Sequence, residues 1–285
     1  MKITFWSPYP GQAGTTSNIL AVSLITTLLY KKPILLTQTH FNYSNLERPL
    51  VGSNLRISET SDYFMDMGLD ALIRYFKAAK LNNDIIENCC ISLPKTSLRL
   101  LPGTCKTNRE SFEYEMNNII VNLFRVMERS GNIIFTDVSS GDNPISLKII
   151  NASDLLVINL NQNISLLDNF FNKYNNVPAN KVFYLIGNYD KNSKYNINNI
   201  RRRYRKYINI HNSGVVPYNT KYLDALCDGN IIEFFLDNLK CTKKDLNWYF
   251  INHIKVTSKK IMEITDSAID MEEGKEISYE LSFVE

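Results

Sequence analysis

Residues 10 to 17 read Pro-Gly-Gln-Ala-Gly-Thr-Thr-Ser and follow a short apolar run, Lys2–Trp6. A strand, a glycine-containing turn and then hydroxyl residues opening a long apolar segment form the setting of a phosphate-binding loop, in which backbone N–H groups wrap an anion. In such loops a lysine reaches the β- and γ-phosphates and a Ser or Thr holds the Mg²⁺. Here Gly11 and Gly14 are present and Thr16 stands where the metal hydroxyl belongs, but Thr15 takes the lysine's place. The chain keeps the backbone cradle and drops its charge. A plainer reading is a strand-to-helix turn in which Ser and Thr serve as helix caps. Asp137 closes another apolar run and reads either as a metal ligand beside Thr16 or as a carboxylate hydrogen-bonded at a strand end.

Composition removes other chemistries. Cys89 and Cys90 are adjacent, Cys105, Cys227 and Cys241 lie far apart, and His40, His211 and His253 are scattered, so no metal-ligand spacing arises. Small thiols in a reducing compartment are the expectation. A net charge of +3 does not by itself call for a nucleic acid. The N-terminal Lys-Ile-Thr-Phe-Trp is strand-like rather than a signal peptide. No apolar stretch approaches the roughly 18 residues of a membrane span. A cytoplasmic location is expected. The excess of Asn, Ile, Lys and Tyr is assigned to codon bias.

Apolar runs of strand length recur at residues 2–6, 33–37, 97–101, 132–137, 155–160, 182–188 and 213–217. Most are apolar on both faces, as in Ile133-Ile134-Phe135, which predicts strands covered by helices on both sides. Helical patterns occupy 16–30, 62–80, 109–129, 196–207 and 243–264; the second carries Phe64, Met65, Leu69, Leu72, Ile73 and Phe76 at helical spacing. Their alternation predicts one α/β domain over residues 1–264, with a mostly parallel sheet of about seven strands and helices on both faces. An acidic, mobile or loosely docked tail is expected over 265–285. Ligands of such a sheet bind at the carboxyl ends of its strands. The loop after Trp6 and the stretches 37–40 and 137–141 are therefore expected to converge.

With these motifs in order, the chain resembles the MinD/ParA family of deviant Walker A ATPases, a branch of the P-loop NTPases. The family's loop reads KGGxGKTT. Aligned without gaps, Pro10 stands at its signature lysine, Gly11 and Gln12 at the first two glycines, Ala13 at the variable place and Gly14 at the third glycine. Thr15 stands at the P-loop lysine, and Thr16 and Ser17 at the hydroxyl pair. The second-strand stretch Ile34-Leu35-Leu36-Thr37-Gln38-Thr39-His40 is similar to VLLIDAD, with Gln38 and His40 in place of its aspartates. Residues 133–141 resemble the Walker B run IIIDTPPG and keep its aspartate as Asp137. Asn188 and Pro217 match the Asn and Pro near which the family holds adenine.

The resemblance, over roughly residues 2 to 235, implies an ATP or ADP site with Mg²⁺, held by residues 11–17, Asn188 and Pro217, with Thr16 and Asp137 as metal residues. The departures imply a degenerate site. A charge-assisted hydrogen bond contributes about 1.5–3 kcal/mol, so losing the loop lysine weakens phosphate binding about ten- to a hundred-fold. Backbone donors and the helix dipole remain. The signature lysine acts across a family dimer, and by analogy with arginine fingers such a group is worth about 10³–10⁵ in rate. Gln38 retains one role, orienting a water as the catalytic glutamine of GTPases does; otherwise it is a structural amide. His40 reads as a hydrogen-bonded polar residue rather than a base.

Two further segments bear on partners. Arg201, Arg202, Arg203, Arg205 and Lys206 crowd one predicted helix, read either as a solvated face or as a non-specific DNA or acidic-partner patch. The 243–264 helix carries Leu246, Trp248, Tyr249, Phe250, Ile251, Ile254, Ile261 and Met262, and the acidic residues after it argue for packing on protein rather than lipid. The reading is a homodimeric, nucleotide-binding positioning or partitioning scaffold with little or no catalysis. Two alternatives stay open: a Mg-dependent ATPase rewired around Thr15, Thr16, Gln38 and Asp137, and a structural interaction protein that binds no nucleotide.

Overall fold

The computed structural model describes residues 1–41, 45–52, 67–174 and 181–281, with side chains as far as Thr265. Eight strands form one sheet: β1 Lys2–Trp6, β2 Ile34–Gln38, β3 Ile91–Ser92, β4 Leu98–Leu101, β5 Ile133–Asp137, β6 Leu155–Leu160, β7 Val182–Tyr189 and β8 Ser213–Pro217. Their order is β3-β4-β2-β5-β1-β6-β7-β8. All pairings are parallel except β3 on β4. The expected seven strands are therefore present, and the eighth is the two-residue antiparallel edge β3. The apolar runs that read as two-sided are two-sided: β2, β5, β6 and β8 are buried at every position.

One core lies on each face. On one, Trp6, Leu35, Ile134 and Ile158 meet α3 (Gly68–Lys77), α5 (Arg109–Glu128), α6 (Pro144–Asn151) and α7 (Ile164–Lys173). On the other, Ile3, Phe5, Leu36 and Phe135 meet α1 (Thr15–Tyr30), α9 (Thr220–Asp228), α10 (Ile231–Asn238) and α11 (Trp248–Leu281). Helix α1 has an unbroken buried stretch from Asn18 to Thr27, because sheet and α11 enclose it; Thr26 Oγ meets Ser258 Oγ at 2.7 Å. Its end is set by Lys31, in the left-handed region at φ 52°.

The helices differ from their sequence patterns mainly at the ends. The 62–80 pattern appears as α3; Phe64 and Met65 fall outside the described residues. The 196–207 pattern shortens to α8, Ile197–Arg203, so Arg205 and Lys206 sit in the following turns. The 243–264 helix starts at Trp248, because Asp245 turns back to accept from the Thr242 amide at 2.7 Å. Its backbone runs as helix through Leu281, across the segment expected to be a separate tail. Short helices α2 (Glu47–Val51) and α4 (Asn83–Asn88) complete the set.

Because β1 lies between β5 and β6 while the chain passes from β1 to β2, connections leave the middle of the sheet in opposite directions. That switch point opens a crevice at the carboxyl ends of β1, β2 and β5.

Candidate phosphate-binding site

The loop from Ser7 to Gly14 leaves β1 at that crevice and enters α1. Gly11 and Gly14 both lie in the left-handed region, at φ 70° and 64°. Gly11 faces open space, and a Cβ on Gly14 would stand 2.9 Å from Ser17 Oγ and 3.5 Å from Asn188 Nδ2. Gly14 is itself the N-cap of α1 and makes no side-chain capping bond. Thr15, Thr16 and Ser17 are therefore in the helix, which removes the plain capping explanation for them. At α4, α5, α6, α7, α8 and α9 the N-cap is an asparagine whose side chain accepts from first-turn amides. At α1 the amides of residues 13–17 meet no acceptor among the described residues. A helix start always exposes such donors, and an anion is the partner that their chemistry suits.

Buried side chains hold the loop in this shape. Asn18, 1% exposed, donates through Nδ2 to Ala13 O and to Asn159 Oδ1, both at 2.9 Å. Asn159, on β6, donates in turn to Trp6 O at 3.3 Å. The Tyr222 hydroxyl donates to Ser17 O at 2.6 Å and ties α9 to the first turn of α1. Gly187 presses against the loop so closely that a Cβ there would lie 2.2 Å from Ala13 O.

The expected site residues meet in part. Gly11 and Gln12 are exposed, Ala13 is buried and residues 14–17 are half-buried, so the cradle opens outward. Asn188 is exposed beside Gly14, turned out by the irregular register between Ile186 and Tyr189 and by its own φ of 47°. Pro217 is buried opposite Tyr189, at the end of the next strand. Thr16 Oγ donates to Asp137 Oδ2 at 2.6 Å, and the His40 Nε2 atom lies 3.3 Å from the same oxygen. The three strand ends thus converge as the topology requires.

Gln38 pairs in register with Asp137, but its amide is engaged elsewhere: Oε1 accepts from the Leu46 amide at 2.9 Å, and Nε2 lies 3.3 Å from Glu47. Glu47 is a residue that sequence reasoning missed. It is buried at the start of α2 and accepts the Gly103 amide at 2.6 Å. No motif marks it; the only signal was an acid between Leu46 and Leu50, which are themselves buried. Burial pulls the His40 imidazole down, but its hydrogen bond to Asp137 and the charges of Asp137 and Glu47 outweigh that and lift it above its ordinary range.

Backbone amides are donors of the kind phosphate oxygens accept from. The expected metal pair fits Mg²⁺ poorly. That ion demands near-octahedral oxygen ligands at about 2.0–2.1 Å. Asp137 is 1% exposed, and its Oδ2 is already shared by a hydroxyl and an imidazole. Among the described residues no three His, Cys, Asp or Glu side chains gather as a metal site.

The fold is the one found in solved ParA- and MinD-type ATPases. The chain is similar to a ParA family ATPase from Chlorobium tepidum TLS, with TM-score 0.67 and 12% identity over 90% of this chain and 98% of that one. It is similar to the cell division ATPase MinD of Pyrococcus furiosus, with TM-score 0.65 and 12% identity over 92% and 98%. It is also similar to the septum site-determining protein MinD of Pyrococcus horikoshii OT3, solved with Mg-ADP, with TM-score 0.64 and 11% identity over 92% and 96%. No protein-family profile matches the chain, and no curated protein does. Among the described residues no helix is long and apolar enough to cross a membrane.

Proposed function

We propose that the chain holds the phosphate groups of an adenine nucleotide in the 11–17 cradle and works as a homodimeric positioning or partitioning scaffold with negligible ATP hydrolysis. The observation that carries this reading is the start of α1: two left-handed glycines, an uncapped first turn and five amides without an acceptor among the described residues, with Pro10 and Thr15 where the resemblance puts charged groups. Asn188 beside Gly14 and Pro217 on the next strand support a base held on that side. The fold shared with a ParA family ATPase and with septum-site and cell-division MinD proteins supports the positioning role.

Gln38 supports the non-catalytic side of the reading. A glutamine that orients an attacking water needs its amide available, and this one is held by Leu46 and Glu47. Steady-state phosphate release and ATP binding by calorimetry test the proposal together. Binding without turnover is the expected result. Turnover at the rate of an ordinary ParA-type enzyme, abolished by Asp137→Ala, makes the chain a rewired ATPase instead. Absence of binding up to millimolar ATP makes it an interaction protein with a vestigial loop.

A basic surface adds a candidate partner. Arg201 donates to Ser213 and Arg203 forms an ion pair with Asp168, so the outward charge of the segment rests mainly on Arg202, Arg205 and Lys206. We carry non-specific DNA as the partner this surface fits, through a small number of bound phosphates.

A further inference from the structure

A divalent ion bound to a nucleotide is held by oxygen atoms it can approach, and the strand ends beside the cradle deny it one. The carboxylate of Asp137 is sealed inside the molecule, with Thr16 Oγ at 2.6 Å and His40 Nε2 at 3.3 Å on the same oxygen. His40 is itself 4% exposed and stands at the end of β2, facing the charges of Asp137 and Glu47. The ring supplies Asp137 with a hydrogen-bond partner from within the chain, at the oxygen that Thr16 also reaches.

Nor does the loop need a metal to take shape. Its Ala13 carbonyl is tied to Asn18, Asn18 is tied to Asn159, and Gly187 closes the contact from β7. The donors that remain are backbone amides, which carry no requirement for a bridging cation.

We infer that the cradle takes the phosphate groups of its ligand without a divalent metal, with His40 as the built-in partner of Asp137. The inference rests on the nucleotide-binding reading above and sets the chain apart from the Mg-ADP form of the Pyrococcus horikoshii protein. The ligand class is a polyphosphate, free of metal: a nucleoside di- or triphosphate, or pyrophosphate, which presents the same oxygens without a base.

Calorimetry on the full chain, with ATP and then pyrophosphate, in excess EDTA and in excess Mg²⁺, tests this. Affinity in Mg²⁺ is expected to be no greater than in EDTA, because no ligand of the ion comes from the protein and the ion competes for the polyphosphate oxygens. A gain of about tenfold or more from Mg²⁺ in the wild type, for either ligand, overturns the inference and leaves nucleotide binding standing. No binding in either buffer overturns both. His40→Asp removes the ring and adds a carboxylate, so Mg²⁺ should then strengthen ATP binding at least about tenfold. His40→Ala, which removes the partner at Asp137 Oδ2 altogether, covers the case in which the Asp variant does not fold. It should show a metal response of at least about threefold. A folded His40 variant that ignores Mg²⁺ shows that the ring does not hold the metal out and overturns its assigned role.

Discussion

Replacing Asn18 by alanine tests whether the cradle is held from behind. Asn18 is buried and donates to two acceptors, the Ala13 carbonyl of the loop and Oδ1 of Asn159 on β6. The substitution removes both bonds and leaves two buried acceptors without this donor, each at a cost of about 1–3 kcal/mol. Alanine is the better helix former, which offsets about 0.5 kcal/mol. Water entering the vacated space recovers part of the rest. The net expectation is a loss of about 1.5–4 kcal/mol, read as a lower urea midpoint at unchanged slope. Asn159→Ala alone and the double variant complete a cycle, whose coupling should be about 0.5–3 kcal/mol because the two amides share a bond. ATP affinity should fall with the loop's loss of shape even where the protein remains folded. A loss below about 0.5 kcal/mol, or strict additivity in the cycle, refutes the relay.

Gly14→Val must hold a β-branched residue at φ 64° with its Cβ 2.9 Å from Ser17 Oγ, a strain of about 1–3 kcal/mol. ATP binding should drop at least about tenfold by calorimetry, and equal affinity would place the ligand elsewhere. Thr15→Lys should strengthen triphosphate binding by about 1.5–3 kcal/mol without restoring turnover, since Pro10 and Gln38 are unchanged; no gain in a folded variant means the loop is not in a binding geometry. Glu128 is pushed up by burial, yet the Lys2 ammonium and the Met1 amino group hold it below the usual 4.5. Its folded value is the lower one, so its stabilisation is present above about pH 4.5 and is lost as pH falls through the folded value. Glu128→Gln should therefore lower the urea midpoint at pH 7 and converge with the wild type in acid; a constant gap removes the assignment. Neutralising Arg202, Arg205 and Lys206 together should flatten the salt dependence of any DNA binding, by a log–log slope of about 0.9 for each DNA phosphate the variant no longer neutralises. An unchanged slope in gel shifts assigns these residues to a solvated face.

The sheet, with helices on both of its faces, was legible because β1, β2, β5 and β6 are apolar on both faces, as strands covered on both sides are. Short elements carried no such signal. β3 is two residues paired to an edge, and its existence depends on β4 rather than on Ile91 and Ser92 themselves. The 243–264 pattern was apolar enough to predict a helix, yet Asp245 bonding the Thr242 backbone delays its start, a local contest that periodicity does not register. The asparagine excess, assigned to codon bias, includes six helix N-caps: Asn82, Asn108, Asn143, Asn163, Asn196 and Asn219. At the site, the loop was legible because glycine spacing reports backbone geometry. Glu47, Asn18 and Asn159 were not, because each acts through a partner distant in sequence, Gly103 for Glu47 and the two asparagines for each other.

The substitutions at the crevice share a direction. On the proposed reading, Pro10, Thr15 and Gln38 stand where a charged or proton-accepting group would act on a phosphoryl in transfer, while Gly11, Gly14 and the first turn of α1 offer donors for a phosphate at rest. Donors that meet ground state and transition state equally lower the dissociation constant without raising the rate. Such a site holds its ligand until it dissociates, so the lifetime of the bound state is an off-rate rather than a hydrolysis rate. His40 and Glu47 extend the same logic inward. Each occupies a buried position beside Gln38 or Asp137 and satisfies groups that would otherwise seek a metal or a water. A scaffold switched by nucleotide concentration needs only such binding, whereas one switched by turnover needs charges that Pro10 and Thr15 do not carry.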